Sequence, residues 1–553
     1  MDPRRHAQYI SRWEMLRTEQ AGYRARWMEL SRAFLPHTGQ FNPMARNDGR
    51  RRMEEIYDST GTRSLRTLAA GLMAGMTSPA RPWFRLTTSD PDLDESHAVK
   101  TWLANLQRRM LMYFTVNNSY RILHTTYEEL GLYGTASCVI AKDPKDVWWG
   151  YPQTAGQYAI ATNHRGEVVT LYRMFEMSVA ELVGEFGLAN VGVSSENFFK
   201  NGQLDIGVIV VHVIEPRADR EHGKRDNLNM PWKSVYFELN DRTRGVLRES
   251  GFRRFPAVCP RWAVAGGDIY GHGPGHEALG DVRSLQHLHK RKSQVYDYQT
   301  MPPIEAPASL AGNGVDLMPG GVNFHDGGGS GQGIRSLWDV RLDMSGLLHD
   351  IADTRERVRS AFHADLFLML ANSDRRNMTA TEVAQRYEEK LLMLGPVLER
   401  LHNELLSPMV DLAFDAMVES GLMESPPLEL QGKELSVEFV SMLAQAQRSV
   451  ATNGIDRFVA NLGALAQIKP EVLDKLNADQ WVDAYSDMLG IDPDLIVPGE
   501  QVAIIRQQRA EQQAAMLAQQ QAAVEAQTAK DLGSVKTDQQ NLATDVIGMV
   551  GGQ

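Results

Sequence analysis

The chain has 553 residues but only two cysteines, Cys138 and Cys259, both in apolar, strand-like surroundings. Two cysteines are too few for a disulfide framework or a zinc site, so we expect reduced core thiols made in a cytosol. No run of about 18 apolar residues is present, so the sequence predicts no membrane-spanning helix. The first residues, MDPRRHAQYI, lack an apolar segment, so we expect no secretory signal.

Sequence signatures of catalysis are also missing. The sequence contains neither the G-x-x-x-x-G-K-[ST] nucleotide loop nor the G-x-S-x-G nucleophile elbow. The segment GGGSGQG at 327–333 has no lysine, which favours a flexible or tight-turning loop over a phosphate-binding one. The sequence therefore gives no support for catalysis, and we expect no cofactor.

The most metal-like cluster is HGPGHE, which contains His272, His276 and Glu277. Gly273, Pro274 and Gly275 break the helical spacing that would bring both imidazoles onto one face. The pattern favours a turn and a helix start, with a metal site as the minor alternative. We expect no metal.

The net charge is −11, from 58 basic and 69 acidic residues. An acidic chain is unsuited to coating nucleic acid through release of counterions. The charge does not exclude a channel through which DNA slides without being held.

A long polar helix is predicted over residues 275–299, followed at once by Met301-Pro302-Pro303. Its 25 residues would span about 37 Å. Its apolar residues are sparse, so one chain cannot bury it, and it must border water or a partner subunit. A second helix, 344–370, returns after a Gly/Pro-rich excursion at 301–340. Two long polar helices joined by an irregular tip form a strut, which favours a ring assembly over an enzyme.

The rest of the sequence predicts a mainly helical α+β protein. We expect an amphipathic helix over the first 35 residues. A second helix, rich in small residues around 65–76, would let another backbone approach closely, and Asp58, Ser59 and Thr60 are its candidate caps. Further helices are predicted at 95–114, 119–133 and 178–186, a long one from Thr379 that Pro396 kinks, mostly helix over 436–500, and a polar helix at 500–527. Period-two segments predict strands at 135–143, 156–163, 167–175, 206–214, 232–239 and 251–260.

Four segments resemble the podovirus-type head-to-tail connector, or portal, family of tailed bacteriophages. They are LAAGLMAGMTSPARPWFRL (68–86), NNSYRILHTTYEELGLYGTASCVI (117–140), FPAVCPRWAVAGGDIYGHGPGHEALGDVRSLQ (255–286) and NMTATEVAQRYEEKLLMLGPVLERL (377–401). Together with the order of elements they cover about residues 5–420. No single piece is a signature, but four in sequence rarely coincide.

The resemblance implies a dodecameric ring at one capsid vertex, through which double-stranded DNA is packaged and ejected without sequence specificity. The partners that it implies are capsid and scaffolding proteins, the terminase and then tail adaptors, with no membrane. It also implies that the protein is made in the host cytoplasm and takes its place in the virion. The implied parts are a wing (1–270 and 379–440), stem helices (271–300 and 341–371), a clip (301–340), a channel loop (372–378), a helical crown (441–530) and a tail (531–553).

Two polar clusters are candidate DNA-facing sites on this resemblance. The channel loop offers Asn372, Arg375, Arg376 and Asn377. The first stem helix carries a basic cluster, comprising His287, His289, Lys290, Arg291 and Lys292. For both clusters the alternative is a solvated surface or ion pairing between subunits, and the sequence leaves the two open.

Proteins of other classes remain as alternatives. A packaging enzyme subunit is disfavoured by the missing nucleotide loop. A scaffolding protein is usually more uniformly helical than this chain, and a tail adaptor is usually much smaller.

Overall fold

The computed structural model describes most of the chain in two compact units. The described residues are 3–42, 56–88, 90, 96–221, 223–224, 226–241, 244–300, 304–305, 335–336, 344–365, 367, 394–430, 435–439, 458–465, 477–489, 495–497 and 499–533. The first unit comprises residues 1–89, 105–426 and 432–449, and the second comprises residues 90–104, 427–431 and 450–553.

The helices account for most of the regular structure. They are α1 (Pro3–Glu19), α2 (Ala21–Phe34), α3 (Thr60–Met76), α4 (His97–Val116), α5 (Ser119–Tyr133), α6 (Val179–Phe186), α7 (Val193–Lys200), α8 (Pro274–Thr300), α9 (Met344–Ala361), α10 (Gly395–Leu401), α11 (Ser407–Glu419), α12 (Ala478–Leu489) and α13 (Gly499–Gly533). A π-helical turn, His402–Leu406, joins α10 to α11. Short 3-10 turns occupy Asn227–Asn229 and Leu428–Leu430.

The strands form separate antiparallel sheets. They are β1 (Phe84–Thr88), β2 (Ser137–Asp143), β3 (Val147–Gln153), β4 (Tyr158–Thr162), β5 (Val168–Ser178), β6 (Gly207–Pro216), β7 (Trp232–Glu238), β8 (Arg248–Phe252), β9 (Ala257–Val258), β10 (Ile304–Glu305), β11 (Arg335–Ser336) and β12 (Leu435–Phe439). The strand orders are β4-β5-β6-β7-β8, β3-β2-β9, β1-β12 and β10-β11.

The five-stranded sheet packs against a helix on each face. Because alternate side chains of β6 point to opposite sides of the sheet, this strand contributes to both clusters. On one face, Ile10, Trp13 and Leu16 of α1 pack in a cluster that includes Val211 and Phe237. On the other face, Leu182 and Phe186 of α6 pack with Val210 and Leu247. The helix α6 starts with a capping box in which Ser178 and Glu181 bond each other's backbone N–H groups, and the predicted helix at 178–186 is confirmed.

A buried ion pair links the α10–α11 region to the segment that precedes α8. Arg261 donates to Glu404 from its backbone N (2.9 Å) and from Nη2 (2.7 Å), and its Nη2 also donates to the carbonyl of Gly166 (2.7 Å). Glu404 lies in the π-helical turn, and Arg400 reaches it as well, at 3.0 Å. Arg261 therefore joins three chain segments that are distant in sequence, around residues 166, 261 and 404.

Several predicted boundaries need correction. The single helix predicted over the first 35 residues is two helices, because the chain turns at Gln20, whose side chain donates to the carbonyl of Tyr158 (2.9 Å) and to Tyr270 (3.0 Å). The second strut helix ends at Ala361 rather than near residue 370, since His363 adopts a left-handed backbone with φ of 51°.

Other differences concern strands. Residues 435–439, predicted as helix in part, form β12 and pair antiparallel with β1. The segment predicted as one strand at 251–260 is divided between β8 and β9, which belong to different sheets. The strand β3 and the helix α7 were not predicted at all. Pro396 lies in α10, which begins at Gly395, and the π-helical turn after it was not expected. Residues 379–393 of the predicted long helix lie outside the described residues.

Candidate functional site

The predicted strut is present as α8 and the shorter α9. Pro274 opens α8, where its missing N–H costs nothing, and the helix extends through 27 residues. Only its first part is covered: its buried residues are Pro274, Gly275, Ala278, Leu279, Val282 and Leu285. At Gly275 a Cβ would lie 2.4 Å from the carbonyl oxygen of Leu132, so only glycine permits this close approach. The rest of α8 is largely exposed, as its sparse apolar residues predicted.

The base of the strut is tied to the start of α3 by Asp58. Its Oδ2 accepts from Arg355 Nε (2.9 Å) and Nη2 (2.7 Å) of α9, and lies 2.9 Å from His289 Nε2 of α8. Its Oδ1 accepts from the backbone N–H of Thr60 at 2.7 Å, so Asp58 caps the helix start as predicted. Ser59, the residue at the N-cap position, makes no side-chain capping bond. Gln286 closes the junction, with its amide bonded to the backbone of Asp58 in both directions at 2.8 Å.

The protonation states at this junction follow from its contacts. Burial alone would raise the pKa of Asp58, but hydrogen bonds from Thr60 and Arg355 hold that pKa below its ordinary value. Burial lowers the pKa of His289 despite the nearby Asp58 charge, and Arg355 adds to the lowering. Nε2 of the neutral His289 ring lies between Asp58 Oδ2 (2.9 Å) and Arg355 Nη2 (3.2 Å). The junction therefore consists of an ionised Asp58 carboxylate, the Arg355 guanidinium and the neutral imidazole of His289.

The predicted basic cluster of α8 divides between an inner and an outer face. His289 lies against Asp58, as described above. Lys292 is half-buried, with its ammonium 6.0 Å from the ring centre of Tyr296. The exposed members are His287, Lys290 and Arg291. The candidate channel-loop residues Asn372, Arg375, Arg376 and Asn377 lie outside the described residues, as does most of the predicted clip.

The HGPGHE segment forms a turn and helix start. His276 Nδ1 accepts from the N–H of Gly273 at 3.2 Å, so the ring hydrogen is on the buried Nε2, which has no partner within the described chain. Burial lowers the pKa of His276 to about 4, and His272 adds to this, so the ring is neutral near pH 7. No group of three or more His, Cys, Asp or Glu side chains with metal-binding geometry occurs among the described residues.

A cleft of about 560 Å³ runs between α2 and the first turns of α8. It stays open because Gly22 and Gly280 present no side chain, and a Cβ at either would meet nothing within 4 Å. Its rim carries Arg26 and Arg283, both of which reach Glu29, at 3.2 and 3.3 Å. His276 also lines this cleft. The cleft holds mixed charge and lacks any constellation of nucleophile, base and orienting group.

Sequence reasoning missed the junction of Asp58, Gln286 and Arg355. Asp58 was identifiable as a helix cap, and the basic residues of α8 as a cluster. Nothing in the sequence joins residue 58 to residues 289 and 355, because more than 200 positions separate them. Among the described residues, no helix is long and apolar enough to cross a membrane.

Comparison with known proteins gives consistent relatives along nearly the whole chain. A family model described as "Bacteriophage head to tail connecting protein" matches residues 6–497. The chain is 57% identical to a protein named "Probable portal protein" from Bordetella phage BPP-1, over 97% of both chains. It is 42% identical to a portal protein of Salmonella phage epsilon15, again over 97% of both, and 23% identical to that of Pseudomonas phage phiKMV, over 85% of this chain and 88% of the relative.

Among solved structures, one similar chain belongs to the neck of a native gene transfer agent particle computed with C12 symmetry. It is 13% identical, with 74% of this chain and 86% of that chain covered and a TM-score of 0.32.

Proposed function

The chain belongs to the bacteriophage head-to-tail connecting protein family, and on that premise we propose that it is the portal subunit of a tailed phage. Twelve copies form a ring at one capsid vertex, and double-stranded DNA passes through the ring during packaging and ejection. The observation that supports this most strongly is the agreement of sequence with two phage portal proteins over 97% of each chain.

The exposed strut supports the proposed ring. Beyond Leu285, α8 is largely exposed in the single chain, and a helix of this polarity borders water or another subunit. In the proposed assembly α8 and α9 are the stem, the segment 301–340 is the clip, and 372–378 is the channel loop. Residues 1–270 and 379–440 are the wing, and 441–530 are the crown.

The proposed role is structural, not enzymatic. The subunit supplies a channel and docking surfaces for capsid and scaffolding proteins, for the terminase during packaging, and afterwards for tail adaptors. It requires no cofactor, and it acts in the virion after synthesis in the host cytoplasm. A scaffolding or adaptor role is the second candidate.

The test is the mass of the purified protein. Native mass spectrometry should show closed rings near 743 kDa (12 × 61.9 kDa) without added nucleotide or metal. End-on electron microscopy images should show twelve-fold symmetry. Monomer or dimer alone, at micromolar concentration and across ordinary salt, would contradict the proposal. Hydrolysis of ATP or cleavage of DNA by the pure protein would contradict its non-enzymatic part.

A further inference from the structure

The outward face of α8 is a basic band. Arg283, His287 and Arg291 recur every four residues on the face opposite its buried residues, and all three are exposed. Between residues 283 and 292 the helix has four Lys or Arg residues and no acidic one. One end of the band adjoins the cleft rim, where Arg283 reaches Glu29. Toward the other end, Tyr298 is half exposed.

The outward face of α9 centres on two carboxylates, Asp353 and Glu356, although the helix as a whole carries three acidic residues and three arginines. Asp353 and Glu356 point away from its buried residues, and each side chain is 62% exposed. Their contacts within the chain are weak, at 3.6 Å to Arg357 and 3.4 Å to Arg359. Such exposed pairs contribute about 0–1 kcal/mol, so both carboxylates remain available to a stronger partner. Leu348, at the start of the same helix, is 44% exposed.

The two faces lie at matching heights along the strut. Arg357 of α9 reaches Asp281 of α8 (3.5 Å), and Arg355 reaches His289 (3.2 Å), so residue 356 lies alongside the segment 281–289. The helices run in opposite directions, so Asp353 lies about one turn further along, towards Arg291. Rotation about a ring axis parallel to the strut keeps every residue at its own height. Glu356 of one copy would therefore meet Arg283 and His287 of the next, and Asp353 would meet Arg291.

We propose that the basic band of α8 is the docking surface for the acidic face of α9 from the neighbouring copy. The partner is a second copy of this chain, because a ring needs two different, complementary patches on each subunit, and both are present on one strut. Leu348 and Tyr298 would be covered at the far end of the same interface. The inference rests on the proposed function, since it assumes a ring whose axis runs parallel to the strut.

Charge favours a protein partner over DNA at this face. The basic band is flanked on the same helix by Glu277, Asp281 and Asp297. Four cations less three anions leave α8 a net charge of +1, which gives little attraction to phosphate. Alternating charge of this kind suits pairing with another charged helix, where opposite signs set the register and like signs prevent other registers.

The experiment is a charge exchange across the proposed interface. The variant Arg283→Glu/Arg291→Glu should reduce the ring fraction at micromolar concentration by about tenfold or more, because like charges then face each other. The variant Asp353→Lys/Glu356→Lys should have the same effect. Combining all four substitutions restores opposite charges, so the rings should return. The matched control is Lys200→Glu/Lys224→Glu, which makes the same charge change at exposed positions outside the strut and should leave the rings intact.

The outcomes are separable from those of the proposed function. If the wild-type protein forms no ring, the proposed function fails. If the wild type forms rings and either double variant keeps them at every salt concentration, the interface is wrong while the portal assignment stands. Intact rings in Arg283→Glu/Arg291→Glu with defective DNA packaging would assign the band to the DNA instead. Circular dichroism of each variant tests whether unfolding is the cause of ring loss. If the double variants lose their rings and the four-fold variant does not recover them, the proposed pairing is also overturned.

Discussion

At the scale of single residues, the small positions of α3 differ in what surrounds them. A Cβ on Gly71 would lie 2.2 Å from the ring of Phe367, whereas a Cβ on Gly75, four residues later, meets nothing within 4 Å. The small-residue helix was predicted to allow another backbone to approach closely. At Gly71 the structure shows that the approaching group is an aromatic side chain of the same chain.

Substitution of these two glycines should have effects of opposite sign. Gly71→Ala should destabilise the subunit by about 1–3 kcal/mol, because Phe367 must move. Gly75→Ala should stabilise it by about 0.5–1 kcal/mol, since alanine favours the helix and meets no neighbour. Apparent melting temperatures by differential scanning fluorimetry measure both. Equal effects would show that the contact with Phe367 does not constrain position 71.

Glu129 of α5 is a buried carboxyl group with no cationic partner within the part of the chain that the structure describes. It accepts from Thr154 Oγ1 (2.6 Å) and from the backbone N–H of Ala155 (3.1 Å). Burial raises its pKa to about 7, and these hydrogen bonds only partly oppose the rise. The raised pKa means that the folded state keeps a proton that the unfolded chain loses near pH 4.5.

This shift predicts a loss of stability with rising pH. Between about pH 4.5 and pH 7 the unfolded chain releases the proton first, so the free energy of unfolding should fall by about 3 kcal/mol and then level off. Glu129→Gln removes the titration, so this part of the pH dependence should disappear. Melting temperatures of both proteins at pH 5 and pH 8 measure it, and an unchanged pH dependence in the variant would contradict the assignment to Glu129.

At the scale of elements, the largely buried ion pair of Arg261 and Glu404 links the π-helical turn to the segment before α8. The Arg261 side chain is only 4% exposed. Arg254 reaches the same helical region through Asp411 (3.1 Å) and Asp415 (2.9 Å) of α11, but its side chain is 55% exposed. The two arginines therefore provide a comparison of buried with exposed pairing.

Arg261→Met should destabilise the subunit by about 3–5 kcal/mol, because it leaves Glu404 partly buried without its main partner. Arg254→Met is the control and should cost about 1 kcal/mol or less, since exposed pairs are screened by water. Urea denaturation followed by tryptophan fluorescence distinguishes them. A cost for Arg261→Met no larger than that of the control would show that the π-helical turn does not depend on this pair.

At the scale of the whole molecule, charge bears on how the proposed ring handles DNA. Twelve copies would carry 12 × −11 = −132 charges, and a lumen that shares this acidic character would repel phosphate and let DNA move. Local basic groups would then supply weak contacts with the DNA. Arg375 and Arg376, in the predicted channel loop, would repeat as a collar of up to 24 guanidinium groups (12 × 2), each able to bind phosphate through its planar fork.

Arg375→Ala/Arg376→Ala should therefore leave ring mass and capsid attachment unchanged, while packaged DNA is retained less well or packaging stops short. Genome length and leakage of DNA from purified particles measure this. The alternative is that the arginines pair with carboxylates such as Asp374 or a neighbouring Glu382 and only stiffen the ring. Full-length packaging and normal retention in the double variant would support that alternative.

The amino-acid sequence by itself determined the class and the family of this protein. Local patterns sufficed for α5, α8 and the strands β2, β4, β5, β6 and β7, because helical and strand periodicities and capping residues are read within a few neighbouring positions. The four family-like segments indicated a portal before any coordinates, and the match over residues 6–497 confirmed the family. The roles of the channel-loop and basic residues stay predictions.

Only the tertiary structure decided which distant residues meet. It placed His289 on Asp58 and Arg355, joined Arg261 to Glu404, paired β12 with β1 and divided the segment 251–260 between two sheets. Each of these depends on which faces pack together once the chain has folded. Such choices follow from burial and hydrogen bonding summed over the whole unit, so no local stretch of sequence encodes them.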